Sequence, residues 1–161
     1  MDSFSSLIFF VAASFAAGAT GLIFRPGNWY RQLDKPSWRP ADWLFGPVWT
    51  VLYAFIGLSG WLIWQEAGLV GAALPLSFYV LQLILNAAWT PIFFGLHRTD
   101  LAVVEILVLL ALIFVTIVLF YPISSTASLL LVPYLAWVSF ASALTFSIWR
   151  RNRAGTAASN V

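Results

Sequence analysis

The sequence predicts an all-α fold, an integral membrane bundle of five transmembrane helices, and three observations predict it. The chain is 61% hydrophobic and only 9% charged, far from the balance of a water-soluble domain. Charge-free runs of bilayer-spanning length recur at Ser3–Phe24, Trp43–Gln65, Ala67–Leu96 and Ile106–Trp149. The last run is about twice the twenty or so residues that cross a hydrocarbon core, so it must fold back. Tyr121-Pro122 and the polar Ser124, Ser125 and Thr126 supply the break. Third, the charges sort by side. An odd number of spans puts the first loop, the third loop and the C-terminal tail together. All eight basic residues fall there: Arg25, Arg31, Lys35, Arg39, Arg98, Arg150, Arg151 and Arg153. The opposite side has Asp2 and Glu66. In an inner membrane this asymmetry predicts a cytoplasmic C-terminus, and a hydrophobic helical bundle is expected in a bacterial inner membrane rather than an outer one. It also explains the net charge of +2 without a nucleic-acid partner.

The expected spans are 5–24, 45–65, 75–96, 101–121 and 127–149, in one domain covering 1–161, with a Trp/Pro-rich loop at 25–44. Each should be helical, because backbone groups in lipid find no water to bond. The first run lacks the basic lead of a secretory signal and reads as a mature helix. Its small residues Ala13, Ser14, Ala17, Gly18 and Gly21 suit close helix contact, within the chain or in a dimer.

The loop that follows packs Trp29, Trp38 and Trp43 among Pro36 and Pro40, with Arg31, Lys35 and Arg39 interleaved. Its prolines disfavour regular helix before Pro47, and its indoles call for a partner surface. We expect it to cap a pocket. In the second span Trp49 and Tyr53 share a face, while Trp61 and Trp64 suit the far interface. In the third, Tyr79, Gln82, Asn86, Trp89 or Thr90, and Phe93 fall along one face. Carboxamides in hydrocarbon must bond across helices or meet a polar ligand. Pro91 should loosen the end of this span. The fourth is nearly featureless, with Glu105 near its start and within reach of Arg98. In the fifth, Tyr134, Trp137, Ala141, Leu144 and Ile148 make one face, with Ala141 leaving room for a flat ligand.

Catalytic and metal-binding signals are thin. Cysteine is absent, His97 is the single histidine, and Asp34 and Asp42 lie among basic residues that pair with them. We expect no metal and no required cofactor. No ionisable group sits at mid-span, which argues against a proton-coupled pump. What remains is an aromatic, weakly polar cavity, suited to a planar apolar molecule with polar edges or to a simple aromatic core.

Three stretches in register, KPSWRPADWLFGPVWTVLY, LILNAAWTPIFFG and VPYLAWVSFASALTF, resemble the tryptophan-rich sensory protein / translocator protein family. The resemblance covers nearly the whole chain. It implies a five-helix membrane protein, usually a homodimer, that binds porphyrin or haem, sterols and benzodiazepine-type drugs under its first loop. Implied ligand contacts are Trp38 and Pro40, Trp49 and Tyr53, Asn86, Trp89 and Phe93, and Trp137, Ala141 and Leu144. Ala41 stands where many members have a second proline, and Phe146 where the family's sterol motif has tyrosine. The function implied is a sensor that regulates tetrapyrrole metabolism. A translocator of porphyrin, sterol or lipid is the alternative. So is a light-dependent porphyrin-degrading enzyme, with Trp38 and Trp137 as its candidate residues.

Overall fold

The computed structural model describes residues 3–158, with the side chains of 154–158 left aside. Asp2 and the last residues of the polar tail lie outside that range. The order of elements is α1 (Ser3–Gly18), α2 (Thr20–Ile23), α3 (Asn28–Gln32), α4 (Asp42–Gly71), α5 (Ala73–Thr90), a π-helical turn (Pro91–Gly95), α6 (Thr99–Phe120), α7 (Ser125–Leu130) and α8 (Val132–Ala158). No strand occurs among the described residues. Five stretches are long and apolar enough to span a membrane: Ser3–Ile23, Asp42–Gly71, Ala73–Gly95, Thr99–Phe120 and Ser125–Arg153. The all-α, five-span fold read from the sequence is the fold observed.

The breaks have local causes. Ser124 caps α7 by accepting from the Ala127 amide, and the chain turns back over Tyr121-Pro122. Pro91 cannot donate to the α-ladder, and the backbone answers by widening into the π turn that follows. Gly68 bends α4 near its end at a positive φ of 62°, which glycine adopts without penalty.

Two local readings differ from the structure. The second span begins helical at Asp42, ahead of Pro47, where irregular chain was expected. Pro47 lies in the second turn and deprives only the Trp43 carbonyl of its donor, at a well-exposed end of the helix. Glu105 does not pair with Arg98. The arginine bonds Asp100 instead, at 2.6 and 2.9 Å, while Glu105 turns inward with both carboxyl oxygens buried and unpartnered. Helix phase decides this, since Glu105 shares the buried stripe of Ala102, Ile106 and Leu109.

The core runs along the middle of the bundle. Ile56 and Ile63 of α4, Tyr79 of α5, Ile113 and Phe120 of α6, and Tyr134 of α8 are almost fully buried. The small face of α1 packs within the chain, where Ser14 and Ala17 are buried. Gly57 of α4 lies so close that an added Cβ would sit 2.7 Å from the Val11 Cα. Trp61 and Trp64 also serve this seam. The Trp61 indole donates to Ser3 O and Ser6 Oγ, and Trp64 packs on Phe10.

Candidate functional site

One end of the bundle holds a cavity of about 390 Å³, within the size range of small-molecule sites. Helices α4, α5, α6 and α8 and the first loop converge on it, with Gly18 of α1 at its edge, and α4, α5 and α8 turn aromatic faces toward it. From α4 come Phe45, Trp49 and Tyr53; from α5 and the π turn come Asn86, Trp89, Phe93 and Phe94. The α8 face adds Trp137, Ala141 and Leu144, and α6 closes the back with Ile106 and Leu109.

The rings pair off. Trp49 stacks on Tyr53 at 5.2 Å, Trp89 stacks on Phe93 at 5.0 Å, and Trp137 meets the edge of Phe45 at 5.5 Å. Gly18 faces this layer where the Tyr53 ring lies across it; a Cβ there would collide with the ring. The small residues of the first span thus serve the cavity as well as helix packing.

Beneath the rings lies a polar knot at mid-bundle. The Tyr53 hydroxyl donates to Asn86 Oδ1 at 2.8 Å, and Asn86 Nδ2 donates to the Tyr134 hydroxyl at 2.9 Å. That hydroxyl donates in turn to Gln82 Oε1 at 3.0 Å. Both carboxamides therefore join three spans, and Asn86 spends its polar atoms largely on the protein. Deeper still, Tyr79 bonds the Ile56 carbonyl and lies 3.2 Å from Ser14 Oγ. Gln82 Nε2 and the indole nitrogens of Trp89 and Trp137 are buried off the cavity surface without a hydrogen-bond partner in the protein. Buried donors of this kind cost free energy unless an acceptor reaches them.

The first loop roofs the cavity. Trp29 and Tyr30 of α3 pack on Phe93 and Phe94, and Trp29 stacks on His97 at 4.3 Å. His97 holds a positive φ of 55° to present that ring. Lys35 Nζ caps the end of α3 on the carbonyls of Tyr30 and Leu33. Burial holds the Tyr30 phenol neutral by raising its pKa above the ordinary value. The other margin is tied to α8. The Asp34 amide donates to Asn152 Oδ1 at 3.0 Å, Asn152 Nδ2 returns a bond to Asp34 O at 2.9 Å, and Arg151 reaches the Asp34 carboxylate. The three basic segments therefore meet at one end of the molecule.

Of the ten residues named from the sequence, Trp49, Tyr53, Asn86, Trp89, Phe93, Trp137, Ala141 and Leu144 line the cavity. Trp38 and Pro40 do not. After buried Pro36 the chain passes over the outside of α8, where Trp38 is about half exposed and meets the edge of Phe140. Phe45, Tyr30 and Gly18 are wall residues that went unread. Phe45 lies four positions before Trp49 on the same helical face, which shows once the helix runs regularly ahead of Pro47. No group of acidic, histidine or cysteine residues able to hold a metal occurs among the described residues.

A five-span bundle with an apolar cavity at the end bearing its basic loops defines a multi-pass integral membrane protein. Which one follows from comparison with known proteins. The chain belongs to the TspO/MBR family, whose profile matches residues 9–150. It is 44% identical over 150 residues to Protein CrtK of Rhodobacter capsulatus, covering 90% of this chain and 91% of that one. It is 43% identical over 127 residues to the Translocator protein of Homo sapiens, covering 78% and 75%. It is 37% identical over 143 residues to the Tryptophan-rich sensory protein of Cereibacter sphaeroides, covering 89% of each.

Proposed function

We propose that this protein is a membrane receptor that binds porphyrin or haem in the roofed cavity and thereby regulates tetrapyrrole metabolism. The observation that carries the reading is the set of flat aromatic walls, with Trp49 stacked on Tyr53 and Trp89 stacked on Phe93, beneath the roof of the first loop. Stacked rings favour a planar apolar body. Arginines and lysine at the same end suit carboxylates at the periphery of such a ring. The names of two relatives, a sensory protein and a translocator protein, agree with a ligand-handling role. In this reading the protein works as a homodimer in a bacterial inner membrane, with the roof and C-terminus cytoplasmic.

The test is a protoporphyrin titration in the dark, followed by tryptophan emission. Saturable quenching, weakened by Trp89→Ala and by Trp137→Ala, which remove stacking surface, is expected. Equal affinity in the wild type and both variants would remove the cavity from the account.

A translocator is the second reading, favoured by a groove outside the cavity between α4 and α8. It requires ligand flux across proteoliposomes that a cavity variant abolishes.

A further inference from the structure

The cavity and the lipid-facing outside of the bundle meet at one side chain. Between α4 and α8 runs a second hollow, a largely apolar groove of about 620 Å³ that is open on its outer side. Pro47 and Val51 form one bank, and Pro133, Ala136 and Phe140 form the other. These residues lie within two of the membrane-spanning stretches. Trp137 lines both the groove and the inner cavity.

Trp137 packs partly buried against the core, and its contacts are apolar. Its ring touches Phe45 at 5.5 Å and Phe140 at 5.8 Å, and its indole nitrogen has no hydrogen-bond partner in the protein. The helices flanking it barely touch, whereas α4 lies tight along α1 and α6 along both α5 and α8. The alternative way in, through the roof, is pinned at both margins by the Trp29–His97 stack and the Asp34–Asn152 bonds. Trp38 stands on Phe140 at the outer lip of the groove, beyond the cavity wall.

We propose that Trp137 is the shutter of a lateral portal between α4 and α8, through which a planar apolar ligand dissolved in the bilayer passes into the cavity. A rotamer change of this one ring joins groove to cavity, with no opening of the roof. This rests on the reading of the cavity as a ligand site, and it adds the lipid phase as the source of the ligand. Trp38, expected to touch bound ligand, instead meets ligand in transit.

The experiment uses the full chain in lipid nanodiscs with protoporphyrin as the probe, by stopped flow in the dark. Ala136 is exposed, lines the groove and does not line the cavity. Ala136→Phe should slow association and dissociation together by roughly fivefold or more, leaving the equilibrium affinity within about twofold. Val51→Phe, on the opposite bank, should do the same and stands in should the first variant fold poorly. Asn152→Ala, which removes both bonds to the Asp34 backbone and so loosens the roof margin, should leave both rates unchanged. Wild-type rates in both groove variants, or faster exchange in Asn152→Ala alone, would overturn the portal. If the wild type shows no saturable quenching, the binding reading fails, and the portal is judged without a ligand. The chain has no cysteine, so Ala141→Cys places a single thiol in the cavity. A bilayer-partitioned maleimide should label it roughly fivefold more slowly when Ala136→Phe is added. Equal labelling would overturn the portal.

Discussion

Helix α4 makes two seams of opposite character. Against α1 it closes by small residues and hydrogen bonds: Gly57 lies against the Val11 backbone, and Trp61 and Gln65 bond Ser6. Against α8 it meets rings, Phe45 on Trp137 and Trp49 on Tyr134, with proline-flanked empty space outside them. Close backbone approach gives a seam with one geometry. Rings that touch at their edges leave a seam that can take more than one. One helix thus supplies both the fixed wall of the bundle and the adaptable wall of its cavity.

The largest expected effect falls on the closed seam. Gly57→Leu should cost about 2–3 kcal/mol, because the neighbouring atom is backbone and cannot swing aside. Val51→Leu on the open seam should stay within about 0.5 kcal/mol. Thermal unfolding in detergent compares them, and equal losses would erase the distinction between the seams.

Next comes the polar knot that ties the two sides together. Asn86→Ala strands the Tyr53 hydroxyl, leaves Tyr134 bonded only to Gln82, and should lower stability by about 1–2 kcal/mol in the same assay. An unchanged midpoint would mean that water or another side chain takes over both bonds.

On the adaptable side, Trp137→Ala should weaken protoporphyrin binding by about 1–2 kcal/mol, roughly 5- to 30-fold. Trp38→Ala, off the cavity wall, should change the equilibrium constant by less than about twofold. A larger loss from Trp38 than from Trp137 would place the ligand outside the bundle. The smallest effect is expected at the roof margin. Asp34→Ala removes an exposed ion pair with Arg151 and should cost less than about 1 kcal/mol of stability, fading further at high salt.

Much of this was legible from spacing alone. The third-span face of Tyr79, Gln82, Asn86 and Phe93 is buried as its three- and four-residue steps predict. The fifth-span face from Tyr134 to Ile148 packs inward likewise. These positions were readable because aromatic and amide side chains in a lipid-facing context need a partner, and helix phase says where it is. What escaped was set by chain path rather than phase. Trp38 follows buried Pro36 around the outside of α8, a course that no periodicity encodes. Phe45 became visible only with the helical turn ahead of Pro47. The partner of Arg98 depended on which carboxylate the loop brought round, Asp100 two residues away rather than Glu105. The close approach of Gly18 to Tyr53 is likewise a tertiary fact, although the small-residue face of the first span pointed toward it.

The central claim is that the roofed aromatic cavity binds a flat tetrapyrrole, and a dark protoporphyrin titration of purified wild type beside Trp137→Ala tests it most directly. The account predicts saturable quenching at one site per chain, with affinity lower by roughly tenfold in the variant. Quenching that never saturates, or identical curves for the two proteins, would contradict it.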